Sequence, residues 1–395
     1  MRILTRYIVF DLLKVFLMTL TVMTAFLFVI LTSKLVVEES LGFLPIVRAL
    51  PYILPQAMQF AVPGAMLLST VTVYGRIAAS NEIVAIKSMG ISPMVLVWPT
   101  IILATLVSLG GVMLNDFAVS WGRGGVEQVL LDSFEEIIYG RLRTSRSYND
   151  KGIDLHVHGV SEDWLVEPIL KYSKTHDDSL VIGRAQRAKI VFNSEKKVLV
   201  LTCLNAEIES SDDFSGYHPG WFEWPISMND IGGKSAKKRS PSQYSLSEIG
   251  PSKVEQAELI EQLEQEMTAE MGLALMTGRT YELSQTAWQS KAGSLSYAHS
   301  QMNRLQTEPH RRWANGFSCL CFVMIGAPMA IRLRHGEIWG SFFACFLPIL
   351  LVYYPMLAGC LDLAKDGALP PQAVWLGNLV LAVWGVWLVR RVIKF

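Results

Sequence analysis

Six long apolar stretches that contain no charged side chain and no histidine constrain this chain more than any other feature. They are Val15–Leu31, Ile53–Tyr74, Met94–Leu114, Trp313–Ile331, Trp339–Leu361 and Ala373–Val389. A helix needs about 20 mostly apolar residues to cross the hydrocarbon core of a bilayer. Because backbone groups in lipid must be satisfied internally, each stretch predicts a membrane-spanning α-helix. No small-residue cleavage site follows Leu31, so the first stretch is expected to be a retained helix and not a signal peptide.

The composition excludes several other classes of protein. Of the 395 residues 51% are apolar and only 18% are charged, against about 25% charged in soluble domains. The 35 basic residues balance 35 acidic ones, which leaves no basic footprint for nucleic acid. The spans also lack the ionisable groups that ion-coupled carriers and intramembrane metalloenzymes place at membrane depth. A chain without such groups must draw energy from elsewhere, most simply from a partner.

The distribution of lysine and arginine predicts the orientation in the membrane. With the N-terminus inside, the short cytoplasmic segments carry ten basic residues: Arg2, Arg6, Lys14, Arg76, Lys87, Arg332, Arg334, Arg390, Arg391 and Lys394. The short external segments carry three: Lys34, Arg48 and Lys365. We therefore expect a multi-pass membrane protein with both termini in the cytoplasm. The long segment 115–312 is expected to lie outside.

This external segment shows three kinds of pattern. Residues 116–143 have helical spacing, and they precede short alternating runs typical of strands. The strand runs are Ile153–His158, Leu165–Leu170, Leu180–Ile182, Lys189–Phe192 and Val198–Leu204. Residues 232–252 are rich in glycine, serine and proline and predict a linker, whereas Lys253–Leu305 predicts one or two helices leading into the fourth span. The strands suggest a small sandwich, a jelly roll or an open barrel.

The cytoplasmic loop Gly75–Ser92 predicts a short helix. Asn81 is a plausible N-cap, Glu82 favours the positive end of the helix, and Gly90 is a plausible stop. The apolar side chains of this helix are Ile83, Ala85 and Ile86. Because isolated helices below about 12 residues are marginal in water, this helix needs a partner surface or the membrane face. The residues alone leave both alternatives open.

Several residues that carry chemistry elsewhere do not form a recognisable site. In Ile231–Ser235 the sequence IGGKS lacks the earlier glycine of a phosphate-binding loop, because that position is Met228. His156 and His158 would share one face of a strand, but they have no convincing third ligand. Cys203 has no partner in the exported segment, and Cys319 and Cys321 are read as small apolar fillers. We therefore expect no catalytic residue, no cofactor and no metal.

Two blocks resemble the lipopolysaccharide-export permease family LptF/LptG. Residues 50–92 have the sequence LPYILPQAMQFAVPGAMLLSTVTVYGRIAASNEIVAIKSMGIS, similar to the family's second span and coupling helix. Residues 308–337 have the sequence EPHRRWANGFSCLCFVMIGAPMAIRLRHGE, similar to its entry into the fourth span. Glu308, His310 and Arg311 carry the motif at that entry.

The resemblance implies the fold, the partners and the site residues. It implies six transmembrane helices with an extracytoplasmic β-jellyroll-like domain inserted between helices 3 and 4. The partners would be a second homologous permease, a cytoplasmic ABC ATPase dimer, periplasmic bridge proteins, and lipopolysaccharide or a related glycolipid. Asn81, Glu82, Ile83 and Ile86 would couple to the ATPase, with Glu82 meeting a basic residue and both isoleucines in a groove. Lys34 would contact lipid phosphate, against the alternative of an interfacial anchor, and spans one and five would line a lateral gate.

The expected domains are 1–114 with the coupling helix near 78–90, a β-rich domain 115–252, a helical extension 253–307, and 308–395. The external insert is longer than the family pattern leads us to expect. A mechanotransmitting ABC subunit that moves no lipid, a membrane-bound enzyme and a membrane scaffold are the alternatives. The six-span layout disfavours the mechanotransmitting subunit. The lack of clustered polar groups at the outer face disfavours the enzyme, and the coupling helix disfavours the scaffold.

Overall fold

The computed structural model describes residues 2–39, 43–90, 92, 94–150, 153–161, 164–173, 180–193, 198–210, 214–227, 240–278, 281, 286–333 and 338–394. Among these residues, six helices are long and apolar enough to cross a membrane. They comprise Thr5–Val37, Leu44–Ala79, Met94–Leu130, Trp288–Arg332, Gly340–Lys365 and Pro371–Val392. Each of them contains or overlaps one predicted stretch. The prediction of six span-length apolar helices is therefore confirmed.

The helices alternate with short irregular turns. The first four are α1 (Arg2–Glu39), α2 (Phe43–Ala79), α3 (Glu82–Ser88) and α4 (Met94–Phe117). A π-helical turn, Ala118–Arg123, leads to α5 (Gly124–Asp132) and α6 (Phe134–Ser145). After the strands come α7 (Leu246–Thr277), α8 (Thr286–Arg332), α9 (Ile338–Pro348), α10 (Tyr354–Lys365) and α11 (Leu376–Lys394). A second π-helical turn, Ile349–Tyr353, joins α9 to α10, and a 3₁₀ turn, Pro371–Trp375, precedes α11.

The chain forms two compact units, and the first comprises residues 1–28, 54–122 and 241–395. Helix α8 is its central element, since α4, α7, α10 and α11 all pack against it. Glycines allow some of these close approaches. A Cβ atom on Gly316 of α8 would collide with Val112 of α4, and one on Gly385 of α11 would lie 2.8 Å from Met324 Cβ. Packing of this kind is common between membrane helices, because van der Waals contact must replace the missing hydrophobic driving force.

The second unit comprises residues 29–53 and 123–240 and contains a curled antiparallel sheet. Its strands are β1 (Ser147–Asp150), β2 (Ile153–His156), β3 (Gly159–Ser161), β4 (Trp164–Val166), β5 (Ile169–Ser173), β6 (Leu180–Arg184), β7 (Arg187–Asn193), β8 (Val198–Ser210) and β9 (Phe214–Ser227). Their spatial order is β1-β2-β5-β6-β8-β7-β4-β3, and β9 pairs with β8 outside this path.

The long strand β8 organises the sheet. One edge of β8 pairs with β7 along its first half and with β6 along its second half, while β9 pairs along the other edge. The register with β9 shifts between Leu204 and Ala206, where Asn205 has a φ of +54°. The Asn205 side chain stabilises this bulge, because it accepts a hydrogen bond from the Gly220 N–H at 3.0 Å. Asparagine tolerates this left-handed conformation better than most residues.

Helix α6 provides the apolar cover of the sheet within this unit. Its side chains Phe134, Ile138 and Leu142 are buried in the same core as Leu165 and Leu201 of the strands. Their spacing of four residues places them on one face of the helix, as the helical pattern in 116–143 predicts. The long predicted helical segment is nevertheless divided into the end of α4, a π-helical turn, α5 and α6.

The strand predictions are correct in part. The run Leu165–Leu170 is wrong as a single strand, because β4 ends at Val166 and β5 begins at Ile169, with Glu167 between them at a φ of +47°. The run Ile153–His158 ends early at His156, so His158 is outside β2 and does not share its face. Strands β1, β3 and β9 were not predicted, since their sequences lack apolar alternation.

The linker prediction for 232–252 is wrong at its C-terminal end. Helix α7 begins at Leu246, where Ser245 and Glu248 form a capping box. The Ser245 hydroxyl accepts from the Glu248 N–H at 3.3 Å, and the Glu248 carboxylate accepts from the Ser245 N–H at 2.8 Å. This reciprocal pair begins a helix despite the following Gly250 and Pro251. The remainder of the linker through Arg239, including the IGGKS sequence, lies outside the described residues. Helices α7 and α8 confirm the predicted helical segment that leads into the fourth span.

Candidate functional site

Helix α3 occupies the loop between the second and third spans, as the sequence predicts. Asn81 stands at its N-cap position, and the Asn81 carbonyl oxygen accepts the N–H groups of Val84 and Ala85, each at 3.1 Å. The expected side-chain cap is wrong, because Asn81 has a φ of +60° and its side chain makes no capping hydrogen bond. An N-cap side chain reaches the helix from an extended backbone, not from this left-handed one. Gly90, with a φ of +75°, follows the helix end as expected.

The two isoleucines of α3 point into the protein. Ile83 is 3% exposed and Ile86 is 7% exposed, and both belong to the core that contains Ile331 of α8 and Leu388 of α11. This burial is at odds with the expectation that they enter a groove of the ATPase, because such a contact needs an accessible side chain. The structure places them where they anchor α3 to the spans. The outward face of the helix carries Glu82, Val84, Ala85 and Ser88.

Glu82 is exposed at the first position of α3. The Ser80 hydroxyl donates a hydrogen bond to the Glu82 Oε1 atom at 2.9 Å. Within the described part of the chain, no lysine, arginine or histidine pairs with this carboxylate. A carboxylate at a helix N-terminus is stabilised by the helix dipole, so the charge is held in place on an accessible surface.

Lys34 lies near the C-terminal end of α1 and is exposed. The span that precedes it leaves much of its apolar surface uncovered, including Phe10, Met18, Val22 and Phe26, each more than 60% exposed. A lysine at this point of a lipid-facing helix suits an interfacial position, because its long side chain can reach the headgroup region.

The motif at the entry to the fourth span lies in the middle of a helix, since α8 begins at Thr286. Arg311 donates from Nη2 to Glu308 Oε2 at 2.7 Å and from Nε to Glu308 Oε1 at 3.2 Å, which forms a bidentate ion pair. The Glu308 side chain is only 5% exposed. His310 is half-buried beside them. The motif thus forms an ion pair one turn before the apolar stretch begins.

Arg312 was not singled out from the sequence, although it is the largest fully buried side chain of the described residues. It donates to Asp116 Oδ1 at 2.7 Å and to the Tyr244 carbonyl oxygen. Asp116 also accepts the Leu246 N–H at 2.8 Å, so the carboxylate links the end of α4 to the start of α7. The sequence does indicate that the two residues could meet, because Asp116 lies just after the third apolar stretch and Arg312 lies just before the fourth. Both residues therefore lie at the same predicted membrane depth.

A cavity of about 190 Å³ lies at the same ends of α4 and α8. Its polar lining comes from α2, α4, α8 and the fifth span, and comprises Gln59, Asn115, Asn315, Ser318, Tyr353 and Tyr354. Asn115 is 2% exposed, and its side-chain Oδ1 atom has no hydrogen-bond partner among the described residues. Four spans thus converge on one cavity beside the Asp116–Arg312 ion pair, which polar and apolar residues line together.

Comparison with known proteins gives one family. The family described as "Lipopolysaccharide export system permease LptF/LptG" matches residues 6–391. A search of curated proteins gives no match. The matched region includes all six span-length helices, α3 and the sheet. The chain therefore belongs to the LptF/LptG family of lipopolysaccharide export permeases and is a multi-pass inner-membrane transporter subunit, not an enzyme.

Proposed function

We propose that this chain is one of two paired permeases that extract lipopolysaccharide or a related glycolipid from the inner membrane. A separate cytoplasmic ABC ATPase dimer supplies the energy, and the extracted lipid passes to periplasmic bridge proteins. The family membership supports the transport of lipopolysaccharide. The proposed coupling to the ATPase rests on α3. The observation that carries it is that Ile83 and Ile86 of this helix are buried whereas Glu82 is exposed.

Helix α3 has the features of a force-transmitting contact. Ile83 and Ile86 fix it to the core of the spans, so a push on α3 moves the spans to which it is anchored. Glu82 is left accessible for a basic residue of the ATPase, where a charge-assisted contact would form. Asn81 fixes the turn from which the helix starts. We therefore assign Asn81 and Glu82 to the contact itself and the two isoleucines to its transmission.

The basic residues around α3 support a cytoplasmic position. Arg76 lies in the last turn of α2, Lys87 lies in α3, Arg332 ends α8, and Arg391 lies in the last turns of α11. Positive charge accumulates on the cytoplasmic side of inner-membrane proteins. On this orientation α3 faces the cytoplasm, and the Asp116–Arg312 pair lies at the opposite end of α4, about 36 Å away for 24 residues.

The least buried spans support the position of the lipid path. In the most apolar part of the first span only 11% of the residues are buried, and in that of the fifth span only 17% are buried. The corresponding share in the fourth span is 72%. Two spans with so much uncovered apolar surface must face lipid or another protein. We propose that they line the lateral gate and the contact with the second permease, and that Lys34 contacts the phosphates of the entering lipid.

The β-rich unit is proposed as the site where lipid leaves the permease. It supplies an extracytoplasmic, jellyroll-like domain inserted between the third and fourth spans, with α7 and the first half of α8 as a helical extension. The division into 1–114, 115–252, 253–307 and 308–395 is part of this proposal. The long antiparallel pair β8–β9 supports it, because such a pair provides an extended platform along which a lipid can move.

Charge reversal at Glu82 tests the coupling. We expect Glu82→Arg to reduce lipopolysaccharide release from proteoliposomes at least tenfold, since it places like charges together at the proposed contact, a loss of about 1.4 kcal/mol. The measurement uses the permease pair purified with its ATPase and follows both ATP hydrolysis and lipid release. We expect the variant to insert and purify at the wild-type level, because Glu82 is exposed.

Glu258→Arg is the matched control, since Glu258 is an exposed glutamate on α7. It should leave lipid release within about twofold, a difference of less than 0.5 kcal/mol. If the Glu82→Arg variant releases lipid at the wild-type rate and still co-purifies with the ATPase, the coupling assignment is wrong. If the wild-type chain binds the ATPase but photo-crosslinkers in the first and fifth spans capture no lipid, a mechanotransmitting subunit replaces the transport function. A scaffold is favoured if no ATPase co-purifies.

A further inference from the structure

A second cavity lies beside α3, where the ends of α8 and α11 meet it. Its volume is about 330 Å³, within the range of about 300–1,000 Å³ typical of ligand pockets. Eight residues line it: Ile83, Lys87, Pro328, Ile331, Arg332, Leu388, Arg391 and Val392. Three different helices thus contribute to one cavity, and three of its eight lining residues are basic.

The described contacts of Lys87 and Arg391, two of these basic side chains, are to groups that carry no negative charge. Lys87 donates to the Val392 carbonyl oxygen at 3.4 Å, and the Arg391 guanidinium lies 5.2 Å from the centre of the Trp387 ring. In the described part of the chain, none of Lys87, Arg332 and Arg391 has a carboxylate partner. Three unpaired cations around one opening repel each other and attract an anion.

The rest of the lining is apolar. Ile83, Ile331 and Leu388 are each 7% exposed or less, and Pro328 lies beside them. A free inorganic anion would contact only the basic rim, and the same holds for an acidic segment of a soluble protein. A ligand that uses both parts of the cavity has a negatively charged head and an apolar chain attached to it.

We propose that this cavity binds an anionic phospholipid, with its phosphate among Lys87, Arg332 and Arg391 and the start of an acyl chain against the isoleucines and Leu388. Basic pockets between spans on the cytoplasmic side suit anionic headgroups, because that membrane surface is itself negative. Arginine favours this role further, since its planar guanidinium pairs with two phosphate oxygens at once.

The position of the cavity gives the bound lipid a structural role. The lipid would contact α3, α8 and α11 together, so its presence would hold α3 against the last span. This role rests on the proposed coupling function of α3, whereas the binding itself does not. The lipid is also distinct from the transported one, because the cavity lies at the α3 end of the bundle.

Binding is tested with the purified full chain in a neutral detergent. Short-chain phosphatidylglycerol is titrated and bound lipid is counted by native mass spectrometry, with phosphatidylcholine of the same chain length and inorganic phosphate in parallel. We expect phosphatidylglycerol to bind at least tenfold more tightly than either. The double variant Arg332→Gln/Arg391→Gln should weaken that binding at least tenfold, since each basic residue near a membrane surface contributes about 1 kcal/mol.

Arg390→Gln is the matched control, because Arg390 is the exposed neighbour of Arg391 and does not line the cavity. It should change the affinity less than twofold. If the glutamine variant folds poorly, Arg332→Lys/Arg391→Lys takes its place in the test. This variant keeps both positive charges and should retain most of the binding. Equal binding of phosphatidylcholine, displacement by millimolar phosphate, or an equal loss in Arg390→Gln would overturn the proposal. None of these results bears on ATP-driven export, which is measured separately with Glu82→Arg.

Discussion

Arg312 shows how a charged residue can be fully buried at the start of a membrane span. Its guanidinium pairs with Asp116 at 2.7 Å, and Glu308 Oε2 lies 3.8 Å from its Nε atom. Removing charges from water is costly, and the cost is recovered only when partners satisfy the buried groups. Here two carboxylates and the Tyr244 carbonyl oxygen surround one arginine. The ion cluster fixes the start of α7 to the ends of two spans.

Replacing this arginine should therefore destabilise the protein strongly. We expect Arg312→Met to lower the free energy of unfolding by about 3 kcal/mol, because it leaves Asp116 and the buried Glu308 without their shared partner. The measurement is thermal unfolding of the detergent-purified chain, followed by the loss of the monodisperse peak. Arg311→Met, on the same helix but with its side chain 16% exposed, should cost much less.

The double variant Arg312→Met/Asp116→Leu gives the sharper comparison. It removes both partners of the buried pair, so it should recover part of the stability that Arg312→Met loses. If the double variant is less stable than Arg312→Met, Asp116 contributes more through the hydrogen bond that it accepts from the Leu246 N–H than it costs as an unpaired buried charge.

At the residue scale, the sequence predicts positions better than roles. It places Glu82 on an exposed helix start and Gly90 at the helix end, because these depend on local backbone preferences. It does not show that Ile83 and Ile86 face inward, since a seven-residue helix has too few turns for its apolar pattern to name the surface it meets. Arg312 was missed because its partners are distant in sequence, and only the fold brings them together.

At the scale of elements, α4 and α8 pack closely where Gly316 meets Ser108 and Val112. Gly316 of α8 faces α4, and a Cβ atom there would lie 3.0 Å from the Val112 nitrogen and 3.1 Å from the Ser108 carbonyl oxygen. Ser108 contributes a further contact, because its hydroxyl accepts the Leu320 N–H at 3.1 Å. The neighbours of Gly316 include backbone atoms, which cannot move away as a flexible side chain would.

Gly316→Ala should therefore destabilise the bundle by about 1–3 kcal/mol, since overpacking forces the two helices apart. Gly110→Ala is the matched control on the facing helix, because a Cβ atom at Gly110 meets nothing within 4 Å. It should be neutral or slightly stabilising, as alanine favours a helix by about 1 kcal/mol over glycine. Thermal unfolding of both variants in the same detergent checks this. Equal melting temperatures would show that α4 and α8 do not pack so closely.

The elements differ in how far the sequence predicts them. The six spans follow from apolar length alone, because lipid imposes one secondary structure on such segments. Strand β9, with the sequence FSGYHPGWFEWPIS, contains two prolines and two glycines and has no apolar alternation. It is a strand because β8 pairs along its whole length. Strand propensity depends on such neighbours, which a single segment does not reveal.

At the scale of the whole molecule, the uneven charge predicts which parts of the chain face the cytoplasm. Basic residues accumulate around α3 and the ends of α8 and α11, and insertion follows the basic residues near the spans. The proposed coupling contact and the proposed phospholipid site both require this orientation. On this orientation we predict that the β-rich unit faces the periplasm, because an odd number of predicted spans separates it from the N-terminus.

Labelling of introduced cysteines in spheroplasts tests this orientation. Ser161→Cys on β3 and Ser88→Cys on α3 both replace exposed serines. A membrane-impermeant maleimide should label Ser161→Cys in intact spheroplasts, but Ser88→Cys only after the inner membrane is disrupted. Cys360→Ser is the background for both variants, because Cys360 is partly exposed whereas the other four cysteines are buried. Burial also raises the pKa of the Cys203 thiol to about 11. The thiol is therefore protonated at neutral pH, and maleimide reacts with the thiolate. The reverse pattern would place α3 outside and remove both its contact with a cytoplasmic ATPase and the cytoplasmic lipid site.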